Sequence, residues 1–415
     1  MNSKKSNSSS LIFHWKRCAS YVQLPLLSLV IYMALPSTQL FAAEDIASNY
    51  PWHAAYAGWY DLFLAYSILL CFASGVIEFG KDTFIFVLVL SIIVVLSLLN
   101  NFALGSQYIL DALVFLSRFV LTFSLAKELV RSLGTQTTES FLIILFIILS
   151  ITALFAYNLQ FGINNRIYAA TMTSPSFGQV AAVVCLIAVL RNYKIILLIS
   201  ALFLFFTFSR TSIIVMLLLL LVHSWDMPIQ VKLKYYIITA TLMFIIVFLF
   251  LQFGGEAFED VISSRTDIDE ISTLNSRDLI WNKAFELFKR SDIPLFGAGF
   301  ASTPSLIAKI NLKMLTTEGW YIPPHFHSII LEYSLSFGIS SLLIFYYLFI
   351  RVWQTFTMKS STAFFIFAYF LVSQTFDFTL FRPKEIIIWA FLLGIAEGNW
   401  KKIECEHNSQ ARISH

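Results

Sequence analysis

Residues 193–225 read YKIILLISALFLFFTFSRTSIIVMLLLLLVHSW. Two apolar runs, 193–209 and 211–225, are separated only by Phe208-Ser209-Arg210-Thr211. A helix crosses the hydrocarbon core of a bilayer with about 20 apolar residues, so both runs are short candidates for a crossing. An arginine near the bilayer centre costs about 2.5–3.5 kcal/mol on insertion scales. Placing Arg210 at the outer interface, where one span ends and the next begins, removes most of that cost. The segment therefore reads as two membrane helices joined by a tight turn.

The rest of the chain has the same character. Hydrophobic residues make up 58% of the 415 positions and charged residues only 13%, where a soluble domain is about half apolar and a quarter charged. Mean hydropathy is +0.75. Length alone would suggest two or three soluble domains, but apolar stretches recur from residue 20 to residue 397. The net charge of +3 implies no nucleic-acid partner. The 42 phenylalanines suit lipid-facing and helix-packing surfaces. Cys18, Cys71, Cys185 and Cys405 are scattered without metal-like spacing, and read as packing residues or thiols.

The expected fold is an all-α polytopic membrane protein with about 12 transmembrane helices. Candidate spans are 20–42, 59–79, 83–100, 107–126, 140–160, 176–190, 193–209, 211–225, 235–253, 328–350, 361–380 and 385–397. Lys and Arg mark the cytoplasmic side. The N-terminal tail carries Lys4, Lys5, Lys16 and Arg17. Alternate loops agree with it through Lys81, Lys127 and Arg131, Arg191 and Lys194, Lys232 and Lys234, Arg351 and Lys359, and Lys401 and Lys402. Both termini are then cytoplasmic. The first span could instead be a cleaved signal, given its basic start and Leu40-Phe41-Ala42-Ala43. A retained helix keeps the number of spans even. The expected organisation is a cytoplasmic tail 1–19, spans one to nine over 20–253, a large periplasmic loop 254–327, spans ten to twelve over 328–397, and a cytoplasmic tail 398–415. A loop of that length is usually functional.

Three polar features fall on the outer side. The first is Phe208-Ser209-Arg210, where Arg210 can also be a snorkelling interfacial residue. The second begins at Asn275-Ser276-Arg277-Asp278, with capping residues before a helix. Ile280, Ala284, Phe285 and Phe288 recur at helical spacing, and the helix ends before Pro294, Gly297 and Gly299. This reads as an interfacial amphipathic helix. Arg277 and Trp281, four apart, share a side. The third is Pro323-Pro324-His325-Phe326-His327-Ser328, where span ten begins. A histidine at a helix N-terminus, near arginines, is held neutral at pH 7 and can take a proton. The plainer reading is a pair of interfacial histidines that cap or hydrogen-bond. His-x-His without a third nearby ligand makes a weak metal site, and no metal or other cofactor is expected.

In this order, the three features resemble the bacterial O-antigen ligase and O-antigen polymerase superfamily, the ligases most of all. That family shows an FSR-type motif, an Arg-x-x-x-Trp segment running to Pro-x-x-Gly-x-Gly, and a His-(Asn/Ser) motif with a Gly eleven residues on. Here these are Phe208-Ser209-Arg210, Arg277 to Trp281 with Pro294 to Gly299, and His327-Ser328 with Gly338. Ser328 stands where the family usually has Asn, and the distance to Gly338 favours His327 over His325.

The resemblance implies a GT-C-like, metal-independent, inverting glycosyltransferase at the periplasmic face of the bacterial inner membrane, in lipopolysaccharide biosynthesis. Its donor would be O-antigen on undecaprenyl pyrophosphate, and its acceptor a sugar hydroxyl of the lipid A-core. The chemistry of the residues fits. Arg210 and Arg277 would hold the pyrophosphate, and His327 would activate the acceptor hydroxyl. Trp281 and His325 would contact substrate. Apolar grooves between helices would hold the polyprenyl tail. A polymerase using the same donor is the alternative; a transporter or flippase would favour repeats and midplane charges. Asp61, Asp111, Arg118, Asp377 and Arg382 read as structural charges within or near spans. Glu332 could line the site without being catalytic, and Lys309 and Lys313 could attract an anionic acceptor.

Overall fold

The computed structural model describes residues 88–93, 109–159, 174–207, 209–225, 277–289, 295–299, 314–316, 319–321, 326–358, 361–378 and 383–413, with scattered positions elsewhere. Span 20–42, most of 59–79 and 235–253, and part of 83–100 lie outside the described residues. So do Asp61, the acidic stretch before Arg277, Pro294, Lys309, Lys313, His325, Arg382 and the Asp111 side chain.

Ten helices and one short hairpin are described: α1 (Ile109–Leu133), α2 (Thr135–Leu159), α3 (Ser174–Arg191), α4 (Lys194–Phe206), α5 (Arg210–Ser224), α6 (Arg277–Lys289), β1 (Met314–Thr316), β2 (Gly319–Tyr321), α7 (Ile329–Phe337), α8 (Ser341–Thr357), α9 (Ser361–Phe376) and α10 (Pro383–Ile413). The two strands pair antiparallel, Met314 opposite Tyr321. The loop expected to be partly helical thus also carries a hairpin. The chain beyond 397, expected as a tail, continues α10 as helix to Ile413.

α3 is the hub. It is apolar all round, as a helix surrounded by others should be, and Val180 through Ala188 are 0% exposed. It ends at Asn192, in the left-handed region at φ 60°, which Asn tolerates better than most residues. α4 then starts two residues later, antiparallel to α3. Phe146 stacks on Phe177 and both meet Phe203 edge to face, between α2, α3 and α4, with ring centroids 5.7–6.1 Å apart. α10 lies close along α1 because Gly394 and Gly398 have no side chain. A Cβ at Gly394 would come within 2.4 Å of the Phe123 carbonyl, and one at Gly398 within 2.7 Å of that of Lys127.

The outward faces are apolar at helical spacing. Ile144, Ile147, Ile151 and Leu154 are exposed on α2, and Leu342, Tyr346, Phe349 and Trp353 on α8. Such continuous apolar surface marks contact with lipid or a partner. Two described helical segments, Thr135–Leu154 and Ile329–Thr357, are long and apolar enough to cross a membrane.

The polar groups collect at the two ends. At one end Glu139 accepts two hydrogen bonds from Arg191 (2.7 and 2.9 Å) and one from Thr362 (2.8 Å). There too Thr135 donates to Asn399 (3.0 Å), and Arg351 and Tyr347 donate to Glu397 (2.7 and 3.1 Å). At the other end Ser176 bonds Glu385 (2.5 Å), and Gln179 joins α3 to α9 and α10. The three sequence motifs lie at this second end.

Candidate active site

Arg210 is the first residue of α5 and is exposed. The turn before it folds tightly onto α3. At Gly178 a Cβ would stand 2.7 Å from Thr207 Oγ1 and 2.8 Å from Ser209 Cβ. Ser209 and Ser212 share a hydrogen bond of 2.7 Å between their hydroxyls, and Ser209 gives no side-chain cap to the helix.

Gln179, the next residue of α3, is the joint to the second motif. Its amide donates to the Asp377 carbonyl (3.1 Å), while its oxygen accepts from Gln374 (2.9 Å) and Trp389 (3.3 Å). Asp377 follows the end of α9. Its carboxylate accepts from Arg277 (3.2 Å), and a second Arg277 nitrogen donates to the Phe376 carbonyl. Arg277 opens α6. One turn on, the Trp281 indole donates to the Phe326 carbonyl (3.0 Å). The shared side expected for these two residues leads both into the bundle end.

His327 follows Phe326. Its backbone is left-handed, φ 56°, and it is one of two described non-glycine residues with positive φ. That conformation costs about 1–3 kcal/mol and persists only where the surroundings dictate it. Its imidazole is pushed down to about 4, first by burial and second by the positive charge of Arg277. The neutral imidazole expected from helix end and arginines is there, but burial is the larger cause. Ser328, extended, precedes the first turn of α7 and gives it no side-chain cap.

The glycine motifs have a separate task. α7 breaks at Gly338, leaving its last carbonyls short of helical donors. Residues 295–299 supply them: Ala298 N–H donates to Leu335 (2.8 Å) and Gly299 N–H to Ser336 (2.9 Å), while Ile339 N–H returns to Leu295 (3.0 Å). A Cβ at Gly297 would come within 2.3 Å of the Ser336 carbonyl, and one at Gly338 within 2.1 Å of that of Leu295. This backbone-to-backbone lock fixes α7, and with it the chain at His327.

Arg210, Arg277 and His327 thus stand at three helix N-termini, of α5, α6 and α7, at one end of the bundle. A helix N-terminus disfavours a cation and favours an anion. Two arginines there make sense electrostatically where an anion is to be bound. Asp377, Gln179 and Gly178 were not singled out as partners of these motifs. A Gly-Gln pair within an apolar span was a usable signal; the Asp377 pairing had none, since it joins positions 100 residues apart. Among the described residues no group of three or more His, Cys, Asp or Glu is placed to hold a metal.

These features define, among the described residues, a largely helical protein with two apolar segments long enough to cross a membrane and three polar helix N-termini at one end. Residues 195–346 match the family model described as O-antigen ligase, which supports the O-antigen ligase superfamily and bears out the resemblance carried by the motifs. The match includes Arg210, Arg277, Trp281, His327 and Gly338, whereas Gln179 and Asp377 lie on either side of it. No match is found among curated proteins.

Proposed function

We propose that the chain is an O-antigen ligase. It would transfer polysaccharide from undecaprenyl pyrophosphate to a sugar hydroxyl of the lipid A-core at the periplasmic face of the inner membrane. The observation that carries this is the set of three helix N-termini headed by Arg210, Arg277 and His327, within a stretch that matches the O-antigen ligase family.

In this reading the acceptor hydroxyl loses its proton to the neutral His327 imidazole as its oxygen bonds to the anomeric carbon. The bond from that carbon to the pyrophosphate oxygen breaks, and the leaving group takes the electron pair. Arg210 and Arg277, with the dipoles of their helices, stabilise the growing negative charge without a metal. Attack from the face opposite the leaving group inverts the anomeric centre. Trp281 and His325 are the proposed substrate contacts, and the apolar surfaces would hold the polyprenyl chain. The proposed topology has about 12 spans, a GT-C-like arrangement, a periplasmic loop over 254–327 and both termini cytoplasmic.

The test is reconstitution with undecaprenyl-pyrophosphate-linked O-antigen and purified lipid A-core. His327→Ala and Arg210→Ala should each abolish transfer at normal protein level; full activity of either sinks the assignment. A deletion strain separates ligase from polymerase. Loss of a ligase leaves long polymer on the lipid carrier, and loss of a polymerase leaves single repeats on the core.

A further inference from the structure

The backbone of Phe326, just before His327, is held at both its N–H and its carbonyl. Its N–H donates to Glu332 Oε2 at 3.2 Å, and its carbonyl accepts from the Trp281 indole at 3.0 Å. The other carboxylate oxygen of Glu332 accepts the Thr303 hydroxyl. The Phe326 ring is fully buried in a small core with Ile280, Ala284, Leu306 and Leu335. Glu332 itself is 4% exposed. A buried carboxylate in the first turn of an apolar helix is costly unless hydrogen-bonded. Both of its oxygens are turned away from α7, towards the loop residues at 303 and 326.

We infer that Glu332 is a positioning residue: with Thr303 and Trp281 it braces the Phe326 backbone and so sets where the His327 imidazole stands. The inference rests on His327 being the base of the reading above. It explains why a left-handed backbone is kept at a non-glycine position. It also gives Trp281 a role through its N–H, in addition to any contact with substrate.

The test uses full-length protein in nanodiscs with the same donor and acceptor, and reads kcat, acceptor KM and the pH profile of kcat. Glu332→Gln should stay within about threefold of wild type, because its amide oxygen can take the Phe326 N–H while its NH2 donates to Thr303 Oγ1. Glu332→Leu fills similar volume but leaves both donors unmatched. It should lower kcat about 100-fold, the scale of an ångström of misplacement, with acceptor KM within about twofold. Its acid limb should move up towards that of an ordinary histidine. Adding Thr303→Val to Glu332→Gln removes the acceptor for the new NH2 and should cost about tenfold more than either change alone.

A normal kcat and pH profile in Glu332→Leu overturns the inference. So does Glu332→Gln as inactive as Glu332→Leu, because a charge and not a brace would then be required. If Glu332→Leu fails to fold, Glu332→Gln with and without Thr303→Val decides between the same outcomes. An active His327→Ala overturns the proposed base and this inference with it, whereas an inactive His327→Ala beside a normal Glu332→Leu overturns the inference alone.

Discussion

At His327, burial and the Arg277 charge push in the same direction, towards the neutral ring, with the pKa lowered to about 4. A free histidine titrates near about 6.5. Transfer should therefore keep its full rate down through pH 6, with the acid limb near 4; a limb at 6.5 would argue against His327 as the base. The same shift has a consequence for stability. The unfolded chain binds the proton more readily than the fold, so this group's contribution is complete above about 6.5 and is lost as pH falls towards 4. Thermal unfolding in detergent across that window checks the sign. Arg277 uses separate nitrogens for Asp377 and the Phe376 carbonyl, which one ammonium cannot reproduce. Arg277→Lys and Asp377→Ala should each lower transfer by about tenfold or more at unchanged protein level, read by the same assay. Arg277 and Trp281 were legible as neighbours because helical periodicity is written locally. Asp377 was not, because its partner is supplied by a helix end far along the chain.

The interlock of residues 295–299 with the break at Gly338 belongs to the scale of elements. Gly338 has φ 56° and ψ −134°, a backbone state that a side chain strains, and there is no room for a Cβ. Gly338→Ala should destabilise by more than about 1 kcal/mol and lower transfer together, since α7 carries His327 at its other end. A variant with full activity and an unchanged melting temperature would show that the lock is dispensable. The apolar helices were readable from composition alone, including the short ones around Arg210, because their lengths are set by the polar residues between them. The polar end of α10 was not. It has no apolar period past Trp400, and its helix continues with local pairs such as Lys401 and Glu404 at 3.1 Å. The hairpin at 314–321 was equally silent, being three residues a side.

At the scale of the whole molecule, the polar networks among the described residues are divided between the two ends, with the proposed chemistry at the second. Glu139 gathers Arg191 and Thr362 from two other helices and is almost wholly buried, whereas Arg191 reaches solvent. Glu139→Ala should lower the melting temperature and folded yield, while the specific activity of the folded protein stays within about twofold. A loss of specific activity with normal yield would mean that the two ends are coupled more tightly than the packing implies. Of the basic residues read as cytoplasmic, the described ones Lys127, Arg131, Arg191, Lys194, Arg351, Lys401 and Lys402 belong to the helix ends that meet here.

The break at Gly338 also sets a height. Below the break, α8 has 17 residues and rises about 26 Å, against a hydrocarbon thickness of about 30 Å. In the proposed topology α8 alone nearly fills the hydrocarbon, which leaves α7, on the other side of the break, near the level of the headgroups. The broken helix then acts as a mast, stepped at its base in the Arg351–Glu397 pair and guyed at 295–299. If the proposed function holds, its top stands level with the phosphates of a membrane-bound carrier, and the depth at which the sugar is exchanged is measured out by the length of one span.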